Sequence, residues 1–184
     1  MLAKERFYSF LLKKNITIIF ITIIFICYSG SLKAIEKISI INNFNSSETL
    51  KFDFTQKSFD KNEKGVCFLK RPYFLRCQYK DENQKELIIN NRVLVIYHRR
   101  YNKIYRYPVS QSFFTDILNK KKFSELISSG ENLPNKNFIE IKYFNKNKGE
   151  ITLFFNKKNY NLNGWRLVDT NTVSYTHLTL PTSG

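Results

Sequence analysis

Apolar and polar side chains alternate along most of this chain, and the alternation gives way to helical spacing in two places. Ile35, Ile38, Ile41 and Phe44 recur near helical spacing and predict a short amphipathic helix that stops at Asn45-Ser46-Ser47. Leu50, Phe52, Phe54 and Gln56 then alternate with Lys51, Asp53, Thr55 and Lys57, the pattern of a strand with one buried face. Residues 65–79, GVCFLKRPYFLRCQY, predict two strands folded back at Arg71-Pro72-Tyr73. Counting by twos places Cys67, Leu69 and Arg71 on one row going in, and Leu75, Cys77 and Tyr79 on the same face coming out. Residues 86–89 and 93–97 flank Asn90-Asn91, and asparagine tolerates the left-handed backbone of a tight hairpin turn. A further strand, 103–107, ends at Pro108.

From Ser110 the period changes. Phe113, Phe114, Ile117 and Leu118 lie at helical spacing with Ser110 or Ser112 as caps, and Phe123, Leu126 and Ile127 continue a second helical piece up to Gly130. Strands resume with Ile139, Ile141 and Tyr143, turn at residues 145–149, return through Ile151, Leu153 and Phe155, and open again at Trp165, Leu167 and Asp169. The pattern predicts one curved antiparallel sheet with a cover of short helices. Its inward positions are Phe52, Phe54, Leu69, Leu75, Cys77, Tyr79, Ile89, Val95, Tyr97, Ile139, Ile141, Leu153 and Phe155. An ordinary packed core explains them on periodicity alone. Arg71 on the same row, and the apolar helix 113–118 as a cover, point instead to a cavity for an apolar guest closed by one charged group.

Composition changes the picture at the two ends. The chain of 184 residues has room for one domain plus a targeting segment. Its aromatic content of 16% and only 6 glycines suit a β-rich fold. Lys4, Arg6, Lys13 and Lys14 precede an uncharged run over residues 15–31 with an apolar centre at 16–28, and Ser29, Gly30, Ser31 and Ala34 follow. Residues 1–34 therefore read as an export signal that is cleaved, and the mature domain as residues 35–172. The apolar centre is shorter than the roughly 20 residues that span a bilayer, although a retained anchor is the alternative. Bulky Phe25 and Ile26 disfavour lipid attachment at Cys27. Of the net charge of +15, residues 1–34 hold +4. The rest is scattered, which describes a solvated basic surface and not a nucleic-acid site. Residues 173–184, VSYTHLTLPTSG, resemble the translation of a sequencing adaptor, so a non-native tail is expected and His177 carries no weight.

Cys67 and Cys77 stand opposite each other if the hairpin is centred on Pro72. Either a cross-strand disulfide or two small apolar residues lining the cavity fits that placement. Two cysteines alone make a poor metal site, and no metal or cofactor is expected. His98, beside Arg99 and Arg100 in a turn, reads as a solvated loop residue. No Gly-rich phosphate loop, HExxH or GxSxG motif is present, so no enzyme activity is expected.

Phe54-Thr55-Gln56, Gly65, Lys70-Arg71-Pro72 with Phe74 and Arg76, residues 94–97 after a tight turn, and the apolar helix 113–118 together resemble the periplasmic outer-membrane lipoprotein carrier family, LolA. The resemblance covers roughly residues 35–172. It implies an incomplete antiparallel β-barrel, a half-barrel sheet with a lid of short α-helices that shields lipoprotein acyl chains in the periplasm. It implies as partners acylated lipoproteins, an inner-membrane ABC transporter that releases them and an outer-membrane acceptor, with the carrier a monomer. Arg71 matches the family's arginine that bonds the lid and keeps the empty cavity closed, with Phe113, Phe114, Ile117 and Leu118 on the lid helix. The chain departs from the family where Cys77 replaces a common tryptophan, where Asn90-Asn91 replaces a glycine-containing turn, and where no proline opens the lid helix. The alternatives are an envelope sensor or acceptor with a related half-barrel, and a signal-anchored basic protein of the membrane surface.

Overall fold

The computed structural model describes residues 34–58, 61–168 and 173–179. The expected export signal, up to residue 33, and the end of the expected tail, 180–184, lie outside them. Two compact units divide between Ile38 and Ser39. The described residues of the first, 34–38, are helical. In the second unit the helix (α1) runs on to residue 46, and among the described residues the strands and the further helices belong to this unit.

Ile40 and Phe44, four residues apart, are the buried pair of α1, with Ile41 beside them. Ile35 and Ile38, expected on the buried face, are exposed. Six strands come next as a meander: β1 (Thr49–Ser58), β2 (Lys61–Lys70), β3 (Phe74–Tyr79), β4 (Lys85–Asn90), β5 (Val93–His98) and β6 (Lys103–Pro108). Two helices interrupt the sheet, α2 (Phe114–Leu118) and α3 (Lys120–Ser129). Of the caps expected for the first helix, Ser112 turns its hydroxyl back to the Val109 carbonyl and α2 starts after Phe113 with no side-chain cap, whereas α3 is capped by Asn119, whose side chain accepts from the Lys122 amide. The chain then returns through β7 (Glu131–Leu133), β8 (Phe138–Asn145), β9 (Gly149–Asn156), β10 (Leu162–Val168) and β11 (Val173–Thr179).

The eleven strands of the described residues form one antiparallel sheet in the order β6-β5-β4-β3-β2-β1-β11-β10-β9-β8-β7. It is open and curved: β6 and β7 are its two edges and do not pair. Residues 173–179 thus occupy the position between β1 and β10, with Phe54 facing Leu178 and Trp165 facing Thr176.

The register assigns every side chain to a face, because directly opposed residues point the same way. Leu50, Phe52 and Phe54 lie across from Leu69, Cys67 and Gly65, and Leu69 and Cys67 lie across from Leu75 and Cys77. Gly65 is required where it stands: a β-carbon there would fall 2.3 Å from the Gln78 carbonyl oxygen and 2.6 Å from the Phe54 ring, which lies over it. In the next hairpin the turn residues are Asn91 and Arg92, with Asn91 left-handed at φ 57°. A two-residue turn pairs an odd-numbered residue with an even-numbered one. With Ile89 inward, Leu94 and Ile96 are therefore inward, and Val95 and Tyr97 lie on the outer face beside Ile88 and Glu86. This corrects the expected placement of Val95 and Tyr97 in the cavity wall.

Candidate functional site

Two adjacent voids lie on the inner face of the sheet beneath α2. The smaller, about 30 Å³, is walled entirely by apolar side chains: Phe44 from α1, Phe52, Leu69 and Leu75 from β1–β3, Ile117 and Leu118 from α2, and Leu178. The larger, about 190 Å³, runs on between Phe54, Cys67, Cys77, Leu87 and Leu167. Phe52, Leu75, Phe114 and Trp165 border both, and Phe114 meets Trp165 edge to face at 6.4 Å. One end of the larger void is polar. Tyr79 donates its hydroxyl to Gln56 Oε1 at 2.9 Å, and Gln56 Nε2 donates to the Ser174 hydroxyl at 3.1 Å. Burial, with Glu63 and Asp81 nearby, pushes the Tyr79 hydroxyl well above its ordinary pKa, so it stays a neutral donor.

Cys67 and Cys77 are directly opposed and joined by a disulfide, and both face the larger void. The two placements that the sequence left open are thus combined, a covalent cross-strand tie that is also cavity wall.

Arg71 is buried at the end of β2, 6% exposed. Its guanidinium stacks on Phe44, 4.1 Å from the ring centroid, and Nη1 donates to Asn45 Oδ1 at 3.2 Å. Nε and Nη2 are buried without a hydrogen-bond partner. Burial holds the guanidinium down at about 10 against the pull of the Glu48 carboxylate. The bonded partner of Arg71 is thus α1, not the expected helix 113–118. From there Asn45 Nδ2 donates to the Ser124 hydroxyl on α3 at 3.1 Å, and Phe44 packs on Phe123 at 4.1 Å. Lys120 of α3 pairs with Glu48. Asp116 of α2 is held instead by Lys148 on the β8–β9 turn at 2.5 Å. Two separate ties therefore fasten the cover.

Of the expected cavity residues, Phe52, Phe54, Leu69, Leu75, Cys77 and Tyr79 line the voids. Ile89 is buried on the same face. Ile139, Ile141, Leu153 and Phe155 are also buried inward, but they pack in the solid core with Phe123, Leu126 and Ile127 of α3, Phe155 edge-on to Phe123. From the expected lid, Phe114, Ile117 and Leu118 face the voids, while Phe113 packs against Tyr143. Sequence reasoning missed Phe44, Trp165, Leu87 and Asn45 as site residues. The parity of Trp165 with Leu167 and of Leu87 with Ile89 was a usable signal; for Asn45, in a polar run after a helix, there was none.

The open antiparallel sheet, its helical cover and the apolar void between them define a half-barrel binding protein. The chain belongs to a family of this class: the model of the outer membrane lipoprotein carrier protein LolA matches residues 45–177. Among curated proteins none matches. Similar solved structures include a LolA superfamily protein from Nitrosomonas europaea, at 9% identity over 77% of this chain and 90% of that one, TM-score 0.40. Lipoprotein LppX from Mycobacterium tuberculosis is 9% identical over 82% and 94%, TM-score 0.45. LprF from Mycobacterium bovis is 9% identical over 78% and 91%, TM-score 0.42.

Proposed function

We propose that this protein is a periplasmic carrier that takes the acyl chains of lipoproteins into the void beneath α2. In this reading it receives them from an inner-membrane ABC transporter and passes them to an outer-membrane acceptor, acts as a monomer, and has no catalytic cycle. Residues 1–34 are its export signal and 35–172 its own domain. Residues 173–184 are a non-native tail whose first residues take a strand position in the sheet, where Ser174 and Thr176 add hydroxyls to a void wall that also holds Gln56 and Tyr79.

The observation that carries the reading is the buried Arg71, with one of its three guanidinium nitrogens bonded, stacked on Phe44, which walls an all-apolar void. The empty voids of about 30 and 190 Å³ are small, so an acyl chain enters only as the cover lifts. Lifting α1 breaks the Arg71–Asn45 bond and the stack on Phe44. Each buried CH₂ returns about 0.8 kcal/mol, so the cargo pulls the cover open and the broken contacts favour its later release.

Delipidated protein should take up a fluorescent fatty acyl probe, with Phe52 and Leu69 variants weakened; an interior that takes up none sinks the proposal. Arg71→Leu should hold the probe several-fold longer during transfer to acceptor vesicles. Unchanged release by that variant counts against the latch.

A further inference from the structure

The outer face of β1–β6, opposite the void, has no part in holding an acyl chain. Its register is unambiguous. Phe68, Arg76, Ile88, Val95 and Arg106 form one row across five strands, and Lys70, Phe74, Asn90, Val93 and Pro108 form the next. Phe68 is 41% exposed, Phe74 39%, Val93 41% and Ile104 47%, so this face presents large apolar groups to solvent. The cations among them are Lys51, Lys57, Lys64, Lys70, Arg76 and Arg106. Only two carboxylates share the face on these strands, and both are engaged: Glu86 with Arg76 and Arg99, and Asp53 with Lys80 at 4.0 Å. The outer face of β8–β10 is different, for there Glu140 and Glu150 balance Lys142 and Arg166.

We infer that the outer face of β1–β6 docks on an anionic lipid bilayer, its cations meeting the head groups and Phe68, Phe74 and Val93 entering the interface. A broad sheet face of exposed aromatic and aliphatic groups interleaved with six cations against two carboxylates matches the chemistry of such a surface. The second row borders, between Lys70 and Phe74, the turn that carries Arg71 and the exposed Tyr73. Docking thus brings the tie on α1 close to the membrane. Binding through this face is independent of what occupies the void.

The test is flotation of the full chain with phosphatidylcholine vesicles and with vesicles carrying 30% phosphatidylglycerol, roughly the anionic fraction needed for a strong surface potential. Every variant keeps residues 1–33, so differences report the outer face. Lys70→Glu with Arg106→Glu should cut binding to anionic vesicles by at least about ten-fold. Lys121→Glu with Lys146→Glu, the same charge change elsewhere, should cut it by less than about two-fold. Phe74→Trp should shift its emission to the blue on anionic vesicles, and Phe144→Trp should not. Equal losses in the two charge variants, equal emission shifts, equal binding to neutral vesicles, or capture by soluble poly-glutamate with no gain from vesicles would each overturn it. Far-ultraviolet circular dichroism of each variant identifies any that fails to fold, and the two tryptophan variants keep the test decisive in that case.

Discussion

The two halves of the sheet carry the same inward pattern of apolar residues and end up with different interiors. On β8 and β9, Ile141, Ile151, Leu153 and Phe155 have no exposed surface and meet the apolar side of α3. On β1–β4, Phe52, Leu69, Leu75 and Cys77 surround empty space under the five-residue α2. The outer faces differ as well: on β8–β10 the cations are matched by carboxylates, whereas on β1–β6 cations outnumber the two carboxylates that face them. Apolar alternation thus specifies which face is covered, while the size of the covering helix decides whether that face becomes a core or a container.

The largest test of this contrast is a matched pair of truncations. Phe155→Ala should cost about 3–5 kcal/mol by urea denaturation, the range for a ring removed from close packing. Phe52→Ala should cost about 2 kcal/mol, because its ring already borders a void and forfeits fewer contacts. Equal losses would erase the distinction. Next in size, replacing Cys67 and Cys77 by serine should remove about 2–3 kcal/mol. Hydrogen exchange should then accelerate in β2 and β3 while β8 and β9 keep their protection; uniform acceleration would show one indivisible core.

A smaller effect is expected from Glu86. Burial pushes its carboxyl up, but hydrogen bonds from Arg76, Gln78 and Arg99 outweigh that and hold it below the usual carboxylate range. Its contribution is therefore present above the unfolded-state pKa and is lost as the pH falls through the lower, folded one. Glu86→Gln should cost about 1 kcal/mol at neutral pH, both arginines being half exposed, and should flatten the acid limb of the stability curve. Smallest of all, Lys142→Met on the other half should change stability by about 0.3 kcal/mol, since the Lys142–Glu150 pair, at 2.7 Å, is partly solvated.

Much of this fold is legible in the chain. The period-two runs locate the strands, and the symmetry of Cys67 and Cys77 about Pro72 gives their opposition, though not the bond between them. Val95 and Tyr97 fall on the face opposite to the expected one because a two-residue turn changes parity across the Asn90–Val93 pair, which the alternation within each strand does not carry. Ile139 and Phe155 lie inward as expected, but no local signal tells a wall from a core when the difference lies in a helix packed from elsewhere. Arg71 stands out as a charge in an apolar row. Its partner Asn45 does not, because a polar residue after a helix reads as an ordinary stop.

The position of β11 bears on the order in which the sheet can assemble. β2 to β6 are added by hairpins that need only neighbouring residues, and so are β8 to β10, whereas Phe54 and Leu178 meet across nearly the whole described sequence. The free side of β1 stays unpaired until that late strand arrives, and long-range pairing of this kind is slow. A chain ended at residue 172 keeps two raw strand edges, on β1 and β10, in addition to the natural ones on β6 and β7. Self-association through those new edges, and not loss of the void, is the first defect to expect of it.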